Sequence, residues 1–435
     1  MRKVITLIIV ILMGTGCSLT RSRKPDVFLI IIDTLRADHL SCYGYDRDTS
    51  PVLDSLAASG TLFSRCQAQA PWTLPAHASI WTGLSTASHM VSIRDMITYG
   101  LSTDLDNIAT ILKKEGYVTL GFVNVILLGN SFGFDNGFDH YSCVTRGHGR
   151  AAETVDEVLE WFIENRGNPN PKLAVIHLFD VHAPYDPPAP FDTRYSSSGT
   201  EGITDWEVSD EVELLNPEDR DHLIDMYDGE IAWVDAQLGR LFGRLRELGI
   251  SENALIIVTS DHGEEFLEHG LWGHGYSLYQ ELLHVPLIIS GPGIPSGVTN
   301  SALAAQYDIL PTITGYLGIS IPDHVEGMDL FSPSQELRTI PSSGTIIGHC
   351  STGDPAKFES IYSVLNQYSK GIYNFFTDEQ QMYDLNLDPG EHHPQPLDST
   401  LMESLEYYRA TPLIVAPPVV RAREVDDTLE DLGYI

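Results

Sequence analysis

The sequence predicts an α/β fold in which a mostly parallel central sheet carries helices on both faces, followed by a small C-terminal α+β subdomain. Three observations carry that reading. Five apolar, β-branched runs have the near-continuous hydrophobicity of strands buried on both faces: VFLIIID (27–33), TLGFVN (119–124), LAVIHLFD (173–180), ALIIVTSD (254–261) and VPLIISG (285–291). Helix-period segments at 51–59, 105–115, 151–164 and 228–248 lie between them, the alternation expected of parallel strands joined by helical crossovers. Three of the runs end on an acid, Asp33, Asp180 and Asp261. Ligands of open α/β sheets bind beyond the carboxyl ends of the strands, so these acids mark where an active site is expected.

In chain order, Met1-Arg2-Lys3, the apolar run from Val4 to Met13 and Gly14-Thr15-Gly16 have the charge, length and small-residue exit of a secretory signal, too short to span a bilayer. Cys17 follows at once, so residues 1–17 resemble a bacterial lipoprotein signal in which Cys17 becomes the lipidated terminus; ordinary cleavage without a lipid is the plainer alternative. Residues 18–25 then form a tether that leaves the protein anchored to a membrane and facing the periplasm or cell exterior. The main domain is expected over 26–330. From about 335 the alternation thins into short antiparallel strands at TIIGHC, FESIYSVL and SKGIYNFF, giving a subdomain over 331–415, and 416–435 is an acidic tail with a short helix.

Composition narrows the function. The formal net charge of −34 argues against nucleic-acid binding. Cys42, Cys66, Cys143 and Cys350 are widely spaced and include no C-x-x-C pair, so neither a disulfide framework nor a thiolate metal site is expected. Oligomeric state is not legible.

The chemistry begins with SDHGEE. Asp261 and His262 follow a strand directly and Gly263 frees the backbone to turn, so a carboxylate and an imidazole can face one metal ion. Alone, the pair reads as a strand-end turn; Asp33, at another strand end, adds a second carboxylate. Thr73, in APWTLPAHASIWTG, completes the set. It is a favoured helix-cap type ahead of Pro75, and a hydroxyl there becomes a useful nucleophile when a divalent cation lowers its pKa. His77 lies one helical turn on, on the same face, with a plain polar contact as its alternative role. His39, His89 and His269 read as structural, Arg36 as an orienter of Asp33, and Asp308 as a helix brace. No second Asp/His cluster for a two-metal centre stands out.

Ordered motifs then make the reading specific. VFLIIIDTLRADHLSCYGY, TLPAHASIWTGL, FGFDNGFDHY, HLFDVHAPYDPP, IIVTSDHGEEFLEHGLWGHGYSLYQELLHVPLI, DILPTITGYLGI and YDLNLDPGE together resemble the sulfatase family of the alkaline phosphatase superfamily over roughly residues 26–390. The resemblance implies an alkaline phosphatase/sulfatase-like fold and a metal-dependent hydrolase of sulfate or phosphate esters working through a covalent intermediate. It implies Asp33, Thr73, Asp261 and His262 around one divalent ion (Ca²⁺, Mn²⁺, Mg²⁺ or Zn²⁺), and Thr73 as nucleophile. It further implies His182 at the leaving oxygen, and His77 and His274 on the anion, with His274 standing where many sulfatases have a lysine. The substrate would be a small-molecule or glycan ester.

Two departures sharpen this. The usual C/S-x-P-x-R frame, whose Cys or Ser becomes formylglycine, here reads Thr73-Leu-Pro75-Ala-His77, and a secondary alcohol cannot give that aldehyde. Thr34 replaces a second metal-binding aspartate. A phosphothreonine can be hydrolysed at phosphorus, whereas sulfate release by hemiacetal breakdown is closed to Thr73. The chemistry therefore tilts towards phosphoesters, with sulfate monoesters still open. A phosphodiesterase or phospho-group transferase of the cell envelope, and an inactive lipid-anchored protein that binds anionic glycans, are the alternatives.

Overall fold

A computed structural model describes residues 24–94, 97–143, 150–195, 216–333, 338–345, 360–374, 377–410 and 419. The expected signal with Cys17, the tether up to residue 23 and, Val419 apart, the acidic tail lie outside the described residues.

Eight strands form the central sheet: β1 (Asp26–Ile32), β2 (Thr61–Phe63), β3 (Val118–Val123), β4 (His140–Cys143), β5 (Lys172–Leu178), β6 (Ala254–Ser260), β7 (Leu287–Ser290) and β8 (Val298–Asn300). Their order is β8-β2-β7-β6-β1-β5-β3-β4. Pairings are parallel except those of β7, which runs antiparallel to β6 and β2.

The period of two along each strand divides the apolar residues between two cores. On β1, Val27, Leu29 and Ile31 enter one core, and Phe28, Ile30 and Ile32 the other. Helices α1 (Pro51–Ser59), α2 (Thr73–Thr82), α3 (Ala151–Glu164) and α4 (Pro217–Glu247) cover these faces. The odd-numbered face of β1 meets α2 together with helices Ile108–Lys114 and Ile309–Leu317; the even-numbered face meets α1, α3 and α4.

Helix α4 begins at Pro217, well before the expected residue 228. Asn216 caps it by accepting from Glu218 N and Asp219 N, and the charged first turns lack the apolar repeat that would betray a helix. Thr73 is not the cap of α2. Trp72 occupies that position, and Thr73 is the first residue of the helix.

The C-terminal subdomain is an antiparallel meander of β9 (Thr339–Thr345), β10 (Ser360–Asn366), β11 (Ser369–Asn374) and β12 (Glu379–Asp384). Leu401 and Leu405 of α5 (Ser399–Ala410) pack on Val364 of this sheet. Of the strand expected at TIIGHC, Thr345 ends β9 and residues 346–350 lie outside the described residues.

Candidate active site

Strand parity assembles the site. Asp33 continues the series 27, 29, 31 of β1; His177 follows Leu173 and Val175 of β5; Asp261 follows Leu255 and Ile257 of β6. The registers Ile31↔His177 and Ile32↔Ser260 bring the three together under α2, which contributes Thr73 and His77. Asp180 has the opposite parity. It follows Leu178 to the other face, where it accepts from Ala151 N at 2.8 Å and Trp233 Nε1 at 3.0 Å, so it braces α3 and α4 and does not join the site.

At the centre, His262 Nε2 lies 3.5 Å from Thr73 Oγ1, 3.6 Å from Asp33 Oδ1 and 3.4 Å from Asp261 Oδ2. His262 Nδ1 faces the Gly263 carbonyl at 2.9 Å, which assigns the proton to Nδ1 and the lone pair to Nε2. Asp33 Oδ1 and Asp261 Oδ2 are buried without a hydrogen-bond donor among the described residues. Burial raises the pKa of both carboxyls; Glu264 raises Asp33 further and Asp33 raises Asp261 further. Two desolvated carboxylate oxygens converging on an imidazole lone pair are the donor set a divalent cation fits, and Asp33, Asp261 and His262 are close enough together to hold one.

A second ring of contacts fixes these groups. His177 Nε2 meets Asp33 Oδ2 at 3.1 Å, leaving Oδ1 for the centre, and burial lowers the pKa of His177 to about 3. His77 Nδ1 faces the Thr73 carbonyl at 2.9 Å and Asp261 Oδ2 at 3.4 Å. His77, His177 and Asp261 are themselves close enough to hold an ion, so the expectation of no second Asp/His cluster is corrected. Gln306 Nε2 donates to the Asp261 and Ser260 carbonyls, at 2.6 and 2.7 Å.

Thr34 has φ 53°, an uncommon conformation for a β-branched residue. Its hydroxyl donates to Val181 O at 2.9 Å while its N–H points at Asp261 Oδ1 at 3.3 Å, so its backbone serves the centre and its side chain does not. Gly263 is needed for close approach, since a Cβ there would lie 1.9 Å from the Glu281 carbonyl. Arg36 does not orient Asp33. It pairs with Asp38 and Glu268 and donates to Glu264 O at 2.9 Å, tying the SDHGEE loop to the loop after β1.

On the other side of His262 stand His274 and His182, with ring centroids 4.5 Å and 4.8 Å apart along that chain of rings. His274 sits between Gly273 and Gly275, both at φ 89°, and its Nδ1 meets Glu264 Oε1 at 2.8 Å. Burial opposes its protonation, but Glu264, Asp33 and Asp261 together outweigh burial and raise its pKa. His182 stacks on Phe179 at 4.4 Å, and its Nδ1 faces the Ala183 carbonyl at 2.7 Å.

Asp180 apart, and Cys17, which lies outside the described residues, the expected site residues thus converge on one place. His177 and Glu264 are additions. A histidine in the apolar run LAVIHLFD, on the parity of Asp33's face, was the signal for the first.

The Sulfatase family model matches residues 25–319. The chain belongs to the sulfatase family. It is an ester hydrolase by that membership. An arylsulfatase of Clostridium perfringens is 26% identical over 457 aligned residues, covering 89% of this chain and 93% of that protein. A structure solved in complex with its substrate D-glucosamine-2-N,6-O-disulfate shares the sulfatase fold at TM-score 0.72 and 19% identity, over 94% of this chain and 99% of the other. The phosphonate monoester hydrolase of Agrobacterium radiobacter shares it at TM-score 0.69 and 22% identity, over 88% and 94%.

Proposed function

We propose that this sulfatase-family chain hydrolyses sulfate or phosphate esters through a covalent ester on Thr73. The observation that carries the proposal is the meeting, at one point, of Thr73 Oγ1, the His262 lone pair and two carboxylate oxygens that have no donor among the described residues. A divalent cation held by Asp33, Asp261 and His262 would neutralise that charge and lower the pKa of the Thr73 hydroxyl; Mn²⁺, Zn²⁺, Mg²⁺ and Ca²⁺ all suit the donor set.

The chain's own residues do the rest. His177 and His77 aim the two carboxylates. His274, paired with Glu264, presents positive charge to the transferred group, and the N-terminal turn of α2 adds backbone N–H donors. Thr73 Oγ1, its hydroxyl proton lost to water, forms its bond to phosphorus or sulfur as the bond to the leaving oxygen breaks, and His182, entering as imidazolium, donates its proton to that oxygen. Water then attacks phosphorus or sulfur and releases Thr73.

A threonine ester has no hemiacetal exit, which favours phosphoesters over sulfates. A similar fold in a phosphonate monoester hydrolase supports a frame that admits phosphorus. A glycan ester is the substrate class supported by the disulfated glucosamine neighbour and by an N-acetylglucosamine-6-O-sulfatase of Bacteroides thetaiotaomicron, 23% identical. We assign residues 1–17 to a lipoprotein-type export signal and Cys17 to the anchor. No described helix is long and apolar enough to cross a membrane.

Nitrophenyl phosphate, bis-nitrophenyl phosphate and nitrophenyl sulfate assayed side by side test the reading. Turnover of at least one, lost in Thr73→Ala, is expected; Thr73→Ala with undiminished turnover contradicts it.

A further inference from the structure

A cavity of about 410 Å³ lies between Arg65, the loop after β8 and the turn joining β10 to β11. It shares no residue with the Asp33–Thr73–Asp261 centre. The chain carries 60 acidic against 26 basic side chains, yet the described lining holds two arginines and no carboxylate.

The two arginines differ. Arg338 is neutralised: Asp308 takes both its terminal nitrogens, Nη1 at 2.7 Å, and Nη2 also donates to Leu303 O at 3.0 Å. Among the described residues, Arg65 has no such acid. Its guanidinium lies 4.5 Å from the centre of the Tyr368 ring, and its Nη2 is buried without a hydrogen-bond acceptor among the described residues. Burial lowers the pKa of Arg65, whereas Asp308 raises that of Arg338. A desolvated guanidinium nitrogen left without an acceptor is costly, and an incoming oxyanion removes that cost. Asn300, Ser301 and Gln367 line the same cavity with further hydrogen-bonding groups, and its volume lies within the range of small-ligand pockets.

We propose that this cavity is a second oxyanion site, for a sulfate or phosphate group, with Arg65 as its principal donor. The group is either a free inorganic ion or the charged substituent of a saccharide, and the same chemistry recognises both.

Crystals of the full chain soaked in selenate, read by anomalous scattering, test the site directly. A peak beside Arg65, missing in Arg65→Gln, is expected. A peak that persists in Arg65→Gln overturns the proposal, as does the absence of a peak joined to the absence of Arg65-dependent binding in calorimetry. Calorimetry with sulfate, phosphate and a sulfated monosaccharide distinguishes the sources. Binding of the inorganic ions marks a free-ion site, and binding of the sulfated sugar alone marks a saccharide subsite. Either event should weaken by roughly tenfold or more in Arg65→Gln, while Arg65→Lys, which keeps the charge, retains most of it. Nitrophenyl ester turnover should stay within about twofold of wild type in both variants, because Arg65 lies outside the catalytic machinery. Equal binding by wild type and Arg65→Gln in every arm refutes the site.

Discussion

Two clusters of acids and histidines draw on the segment from Asp261 to Glu281, with Asp33 coming from β1, and they differ in what they leave unsatisfied. Asp33, Asp261 and His262 form one; Glu265, His269 and Glu281 form the other, and each is close enough to hold an ion. In the second, His269 Nδ1 meets Glu281 Oε1 at 2.5 Å and Nε2 meets Glu391 O at 3.1 Å. Glu265 accepts from His269 N and Leu271 N, both at 3.1 Å, and from Ser277 Oγ at 3.0 Å. Every named atom there is bonded within the protein, whereas Asp33 Oδ1 and Asp261 Oδ2 in the first have no donor among the described residues. Burial and spacing alone do not distinguish a binding centre from a structural knot; unmet hydrogen-bonding capacity does.

The largest effect that sharpens this contrast is expected from Asp261→Asn. It should lower turnover by roughly 10³-fold or more and abolish thermal stabilisation by added divalent ions, while Glu281→Gln should leave the ion response in place. Differential scanning fluorimetry across Mn²⁺, Zn²⁺, Mg²⁺ and Ca²⁺ reads both. Equal loss of the ion response in the two variants breaks the comparison.

His177→Gln comes next. Releasing Asp33 should weaken metal affinity or turnover by about 10- to 100-fold, the usual scale for a residue that orients a ligand. Metal titration beside the kinetic assay separates the two effects.

The knot should answer to stability instead. His269→Gln is expected to cost about 1–3 kcal/mol in urea denaturation near neutral pH, with turnover retained. Its pH dependence has a definite sign. Burial lowers the pKa of His269, but Glu281 overrides burial and raises it from 6.5 to about 9. The pair's contribution is therefore complete below about pH 6.5 and lost as pH rises through 9. Wild type should lose stability across that window more steeply than His269→Gln, by an amount reduced by solvent screening. Parallel curves contradict it.

The smallest catalytic effect belongs to Asp180→Asn. It should lower stability by about 1 kcal/mol or less and leave turnover within a few-fold of wild type, because that carboxylate holds helices on the opposite face.

Much of this was legible in the sequence because alternation fixes facing. The runs ending at Asp33 and Asp261 named both strands and both acids, and the same rule, applied to LAVIHLFD, places His177 with them and Asp180 opposite. Reading Asp180 as a third site acid ignored its parity. Other features depend on contacts that sequence does not encode. Glu264 meets His274 only because the chain doubles back through the hairpin of Glu265-Phe266 and Trp272-Gly273. Arg36 pairs with Asp38 and Glu268, a contact to Glu268 that exists only once the loops fold. The early start of α4 escaped because its first turns are charged.

The central claim is that Thr73 carries the transferred group. Acid-quenched turnover of the best nitrophenyl ester, followed by peptide mass spectrometry, tests it most directly. The account predicts a phosphoryl or sulfuryl adduct on Thr73 that forms and decays with turnover. An adduct on another residue, or steady turnover by Thr73→Ala with no adduct at all, contradicts it.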